Sequence, residues 1–108
     1  MLPSLWYEPG PLVIAEARSL GVPVVLARTT GPASWIADGQ DGILVDGGDA
    51  AGLSAALTRL KDDGVASAMG ASAYRRYWAD PLTTERHVAR TVEAYRGLVE
   101  EQGRRAIA

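Results

Sequence analysis

The 108-residue chain reads as an α/β protein with two or three short parallel strands and a helical C-terminal half. Three observations carry that reading. Residues 23–27 and 43–45 are continuous apolar runs rich in β-branched residues, short enough for strands and without the polar alternation of a half-exposed one. A mostly apolar helical segment precedes the first run, and a helix followed by a fully buried strand argues for a parallel sheet covered on both faces. Beyond residue 50, apolar residues recur at helical spacing.

The elements follow in order. Residues 2–5 are too short to identify as a strand from their own pattern. Pro9, Gly10 and Pro11 end whatever precedes them and place Pro11 in the first turn of a helix over residues 11–20, where a missing N–H is harmless. Gly21 closes that helix. After the strand at 23–27, Thr29-Thr30-Gly31-Pro32 forms a turn and residues 33–37 one short helical turn. Asp38-Gly39-Gln40-Asp41-Gly42 has the composition of a loop and leads into the strand at 43–45. Asp49 is placed to cap a helix whose Leu53, Ala56, Leu57 and Leu60 form one buried stripe, and Lys61-Asp62-Asp63-Gly64 ends it. Residues 65–78 make a further helix interrupted only by Gly70. Asp80 and Pro81 signal the start of a last helix carrying Val88, Val92, Tyr95, Leu98 and Val99, which frays at Gln102-Gly103-Arg104-Arg105.

Bulk properties exclude several classes. A net charge of −2 and a pI near 5.3 leave no footprint for a polyanion, so nucleic acid is not an expected partner. With no cysteine there is neither disulfide nor thiolate metal site, and the single histidine has no evident co-ligands, so no metal is expected. No apolar run approaches the roughly 18 residues of a membrane span, and no secretory leader is evident, which makes a cytoplasmic location the expectation.

The chemistry concentrates in Glu8-Pro9-Gly10-Pro11-Leu12-Val13-Ile14-Ala15-Glu16. Glu8 lies in a loop beside a helix N-terminus and Glu16 in the second turn of that helix. Such a terminus offers free N–H groups and a partial positive charge, which suit a phosphate. Two carboxylates nearby accept hydrogen bonds from sugar hydroxyls, so the ligand implied is a phosphorylated sugar.

Pro3-Ser4, the Glu8 to Glu16 block with Ala17 after it, Gly21-Val22-Pro23-Val24-Val25 and Gly39-x-x-Gly42-Ile43-Leu44-Val45 occur in that order at close spacing. Together they resemble the C-terminal, donor-binding domain of retaining family-four glycosyltransferases of the GT-B fold, most clearly from Pro3 to about Leu60. The resemblance implies half of a Rossmann-like domain, with residues 2–5 as the end of a strand. It makes residues 1–108 part of a nucleotide-sugar donor-binding domain whose preceding half would hold the base and the phosphate-neutralising cations.

By the same resemblance Glu16 accepts hydrogen bonds from the ribose, and Glu8 faces the transferred sugar as the catalytic-site contact. The amides of Leu12 and Val13 meet the diphosphate, and Gly10 belongs with them to the donor-binding residues. The donor is a UDP-, GDP- or ADP-sugar and no other cofactor is implied. Two positions depart from the family pattern. Pro11 stands where many members carry glycine, and Ser34 where the glutamate that follows two glycines is usual. The full-length family catalyses hexosyl or related transfer, whereas this chain alone is expected to be inactive. In full-length relatives the C-terminal helices partly pack toward the other domain.

The residues also admit plainer readings. Glu16 is equally a solvent-facing helix residue, and Glu8 a loop carboxylate held by the helix dipole. Arg28 reads as a solvated surface cation and His87 as solvent-facing. Trp6 and Tyr7 either border a sugar or pack on the helix, Trp35 and Trp78 read as core or interface residues, and Gly31, Gly39 and Gly42 as turn residues. The competing function is a non-catalytic module covered by a second copy or by another chain, including a separately encoded half-domain.

Overall fold

The computed structural model describes residues 1–7 and 9–107. Its sheet pairs β1 (Val24–Ala27) with β2 (Gly42–Val45) in parallel, Val24 opposite Gly42 and Ala27 opposite Val45. On the other edge of β1, Leu2 N–H donates to the Val25 carbonyl at 2.8 Å and Ala27 N–H to the Leu2 carbonyl at 3.0 Å. The expected third strand is thus a single parallel bridge, Leu2 to Leu26.

Alternation along the strands sends side chains to two layers. Val24 and Leu26 join Ile14 of α1 (Leu12–Ser19) and Ile36, with Leu2, Ala17, Trp35 and Leu44 against them. Val25, Ile43 and Val45 face the other way, onto Ala56 of α2 (Ala50–Arg59) and Met69 of α3 (Asp63–Ala79), with Leu53 and Leu60 alongside. Both faces are covered, which is why every residue of β1 is buried and no alternation shows in its sequence.

The helix ends refine the sequence reading. Pro11 is the N-cap of α1, at φ −66° and ψ 118°, and therefore lies one residue outside the helix rather than in its first turn. At the other end Val22 N–H donates to the Ala17 carbonyl at 2.8 Å and Gly21 N–H to that of Arg18 at 3.1 Å, with Gly21 at φ 71°. That is the left-handed closure glycine permits. The turn expected at 29–32 and the helical turn at 33–37 merge into one 3-10 helix, Gly31–Trp35, because Pro32 suits its first turn.

Asp49 caps α2 as expected, accepting from Gly52 N–H at 2.9 Å. Asp62 does not close α2 but caps α3 by accepting from Val65 N–H at 3.0 Å, so α3 starts two residues earlier than its apolar pattern suggests. Gly70 does not interrupt α3, since helical geometry continues through it to Ala79.

α4 (Thr84–Ile107) starts three residues beyond Pro81, where Thr83 Oγ1 accepts from Arg86 N–H at 3.3 Å. Asp80 does not cap it and instead binds the side chains of Arg86 and Arg90. Nor does α4 fray at residues 102–105; it is helical to Ile107. None of its residues is buried, and Val88, Val92, Tyr95, Leu98 and Val99 are all exposed. The projecting helix gives the molecule its 62 Å long axis against 27 and 19 Å across.

Candidate functional site

Because Leu2, β1 and β2 run parallel, the segments that follow them emerge at one end of the sheet, the carboxyl end where open α/β sheets bind ligands. The segment after Leu2 delivers the chain to α1 and the one after β1 carries Arg28 and Thr29. They touch where Thr29 Oγ1 donates to the Ser4 carbonyl at 3.3 Å. Beyond β2, Asp46 joins the same end through its ion pair with Arg28.

The N-terminus of α1 opens here. Among the described residues no side chain caps it, and its first turn has no acidic residue. Ile14 N–H is already engaged by the Pro11 carbonyl at 3.2 Å, whereas Leu12 and Val13, with side chains 77% and 55% exposed, head the helix as residues whose N–H groups have no acceptor within it. Gly10 is also exposed, and no described residue lies within 4 Å of where a Cβ would stand on it. The Leu12 and Val13 N–H groups and the positive end of the helix dipole thus lie together at the start of α1, a setting that suits an anion.

Glu16 is exposed on α1, and its carboxylate has no hydrogen bond or ion pair among the described residues; the Ser19 hydroxyl bonds only its backbone carbonyl, at 2.7 Å. Glu8 lies outside the described residues, so the structure does not place the sugar contact expected of it. Trp6 and Tyr7 are 78% and 72% exposed, hence not packed on the helix.

Arg28 is the cation at this end of the sheet, but two carboxylates hold it. Its Nη2 lies 2.8 Å from Asp38 Oδ2 and its Nε 3.3 Å from Asp46 Oδ1. Asp38 is anchored in turn by the Leu44 N–H, which donates to Oδ1 at 2.9 Å. That backbone hydrogen bond, helped by Arg28, holds the Asp38 carboxyl below its usual range against the opposing effect of partial burial. Arg28 thus closes the strand ends together, in line with the surface role expected of it. Ser34 Oγ donates to the Gly31 carbonyl at 3.0 Å inside its own turn.

A search with family models matches residues 1–76 to "Glycosyl transferases group 1". The chain is a member of the group 1 glycosyltransferases. Among curated relatives of this glycosyltransferase domain, D-inositol 3-phosphate glycosyltransferase of Thermomonospora curvata is 46% identical over 52 residues, 48% of this chain and 12% of that protein. The enzyme of the same name from Arthrobacter sp. strain FB24 is 37% identical over 91 residues, covering 83% of the chain and 21% of that protein. Glycogen synthase of Mycobacterium tuberculosis is 32% identical over 105 residues, 97% of the chain and 25% of the protein. In three dimensions the glycosyltransferase domain superposes on sucrose-phosphate synthase from Thermosynechococcus elongatus with a TM-score of 0.77 at 29% identity, over 92% of this chain and 25% of that one. The fold is thus that of the C-terminal part of a GT-B glycosyltransferase, and the chain spans at most a quarter of these relatives.

Sequence reasoning missed the most buried charged group of the glycosyltransferase domain. Asp41, read as a loop residue, is fully buried and accepts from Ala37 N–H at 2.7 Å, Arg76 Nε at 2.7 Å and Arg18 Nη2 at 3.2 Å. The loop before β2 is thereby tied to α1 and α3. Its only sequence signal was an arginine on the buried side of α1, four residues after Ile14.

Proposed function

We propose that residues 1–108 form part of a nucleotide-sugar donor-binding domain and bind the donor diphosphate at the N-terminus of α1. The uncapped pair of N–H groups at Leu12 and Val13, beside an exposed Gly10 at the carboxyl end of the sheet, is the observation that carries this reading. Glu16, one turn further along α1 and free of protein partners among the described residues, accepts from the ribose hydroxyls. Glu8 takes the donor sugar. The donor is a UDP-, GDP- or ADP-sugar, and the location of the protein is cytoplasmic; no helix among the described residues is long and apolar enough to cross a membrane.

The chain alone binds the donor without transferring its sugar. Departure of a diphosphate needs cations aimed at the developing charge. The arginine at this end of the sheet is already shared by Asp38 and Asp46. Thermal-shift titration with UDP, GDP and ADP and one sugar conjugate of each, on wild type and Glu16→Ala, tests the reading. A ligand at about 100 times its dissociation constant stabilises by about 2.7 kcal/mol. A shift for one nucleotide that Glu16→Ala loses supports the site, whereas no shift with any of them removes it.

The exposed apolar residues of α4 favour a second reading, a glycosyltransferase-derived module that associates with itself or with another chain. Mass in solution separates the two. A stable dimer indifferent to nucleotides favours the module, and a monomer stabilised by one of them favours donor binding.

A further inference from the structure

A second cavity lies away from the N-terminus of α1, where the C-terminal half of α1, the 3-10 turn, the end of α3 and the first turns of α4 meet. It has a volume of about 370 Å³, is open to solvent, and is lined by Arg18, Arg76, Arg90 and Asp80 with Trp35 and Tyr77. That is within the range of small-ligand sites and larger than a bare phosphate fills.

The charges around it do not balance. Asp41 is shared by Arg18 and Arg76, and Asp80 by Arg86 and Arg90. Four guanidinium groups on two carboxylates leave an excess of two positive charges, in a chain whose net charge is −2. Three of those arginines reach the cavity wall. The Arg18 side chain is only 8% exposed, and its Nε, buried, has no hydrogen-bond partner among the described residues. A buried charged donor left unpaired is unfavourable unless a ligand or water meets it. Arg76 and Arg90 side chains are 49% and 57% exposed, and each is held to its carboxylate through one nitrogen, Nε of Arg76 and Nη2 of Arg90.

We propose that this cavity binds a phosphomonoester, its phosphate taken by Arg90 and Arg76 beside the buried Arg18 and its carbon body laid against Trp35 and Tyr77. Arginine suits a phosphate because its planar fork gives two parallel charge-assisted hydrogen bonds. The ligand bridges α4 to α1 and α3. It therefore holds the projecting helix at one angle to the body, a link that Asp80 alone, at the junction of α3 and α4, does not make to α1.

The test is titration of the full chain with inorganic phosphate and with phenyl phosphate at constant ionic strength, using chloride as the control. It is followed through the arginine side-chain Nε–H and backbone amide NMR resonances. Saturable shifts of the Arg18 and Arg90 Nε–H signals are expected, with phenyl phosphate binding more tightly than phosphate. Arg90→Gln should weaken both at least tenfold, and Glu16→Ala should leave them unchanged. Arg90 is exposed on a helix without buried residues, so this variant keeps the fold. Shifts confined to the amides of Leu12 and Val13, shifts equal in chloride, or unaltered affinity in Arg90→Gln would each overturn the proposal. Phosphate bound as tightly as phenyl phosphate would remove the role of the aromatic wall.

Discussion

A Cβ built on Gly70 would stand 2.1 Å from the carbonyl oxygen of Gly21. The middle of α3 therefore rests directly on the closing turn of α1, backbone against backbone. The approach is mutual, because a Cβ on Gly21 would lie 3.4 Å from the Gly70 carbonyl oxygen. Gly21 is also in the left-handed region at φ 71°, so two constraints meet at one residue.

Replacing Gly70 by alanine opposes two effects. Alanine is the better helix former by about 1 kcal/mol. The methyl group, however, meets backbone rather than a flexible side chain, and overpacking of that kind typically costs about 1–3 kcal/mol. Since 2.1 Å is far inside van der Waals contact, the clash should win and Gly70→Ala should lower the unfolding midpoint by several degrees. A midpoint at or above the wild type in a thermal melt followed by circular dichroism would show that α3 shifts freely away from α1.

Asp41→Ala should be among the most damaging single changes. It leaves the buried Arg18 without its counter-charge and orphans Ala37 N–H. Loss of one partner of a buried pair costs about 3–5 kcal/mol. Arg76→Ala, at the half-exposed end of the same network, should cost about 1 kcal/mol or less. Urea unfolding of both variants and of the double mutant checks this ordering; equal losses would mean that Arg76, not Arg18, is the essential partner.

Acid should weaken the fold in a defined window. The Leu44 N–H, then Arg28, lowers the Asp38 carboxyl, and Arg86 and Arg90 lower that of Asp80. A carboxyl whose folded pKa is depressed stabilises above its unfolded value near 3.9, and that stability is lost as pH falls through the folded value. Stability contributed by these two groups should accordingly be constant above about pH 5 and decline below about pH 4. Asp38→Asn should flatten the decline in urea midpoints between pH 5 and 3. An unchanged slope would assign the acid sensitivity to other carboxylates.

Local pattern was enough for most elements. The strand at 43–45 and, apart from the exposed Leu57, the expected stripe of Leu53, Ala56 and Leu60 follow from hydrophobic spacing, and Asp49 follows from cap chemistry, because each depends on neighbours within a turn or two. The errors fall where two signals compete. Asp62 suits either the end of one helix or the cap of the next, and only the Val65 N–H it accepts decides. Asp80-Pro81 resembles a helix start, but Asp80 is drawn to Arg86 and Arg90.

Composition and the order of motifs are enough for the α/β class and the glycosyltransferase family, since continuous apolar runs, glycine placement and the Glu8 to Glu16 block are properties of the chain read in one dimension. Tertiary structure decided what no local period encodes. It buried Asp41 completely against Arg18, 23 residues away, brought Gly70 onto Gly21, and left the apolar residues of α4 in solvent. Burial is a property of what the rest of the chain places beside a residue. The same side chain is therefore a loop carboxylate in sequence and the anchor of three segments in the fold.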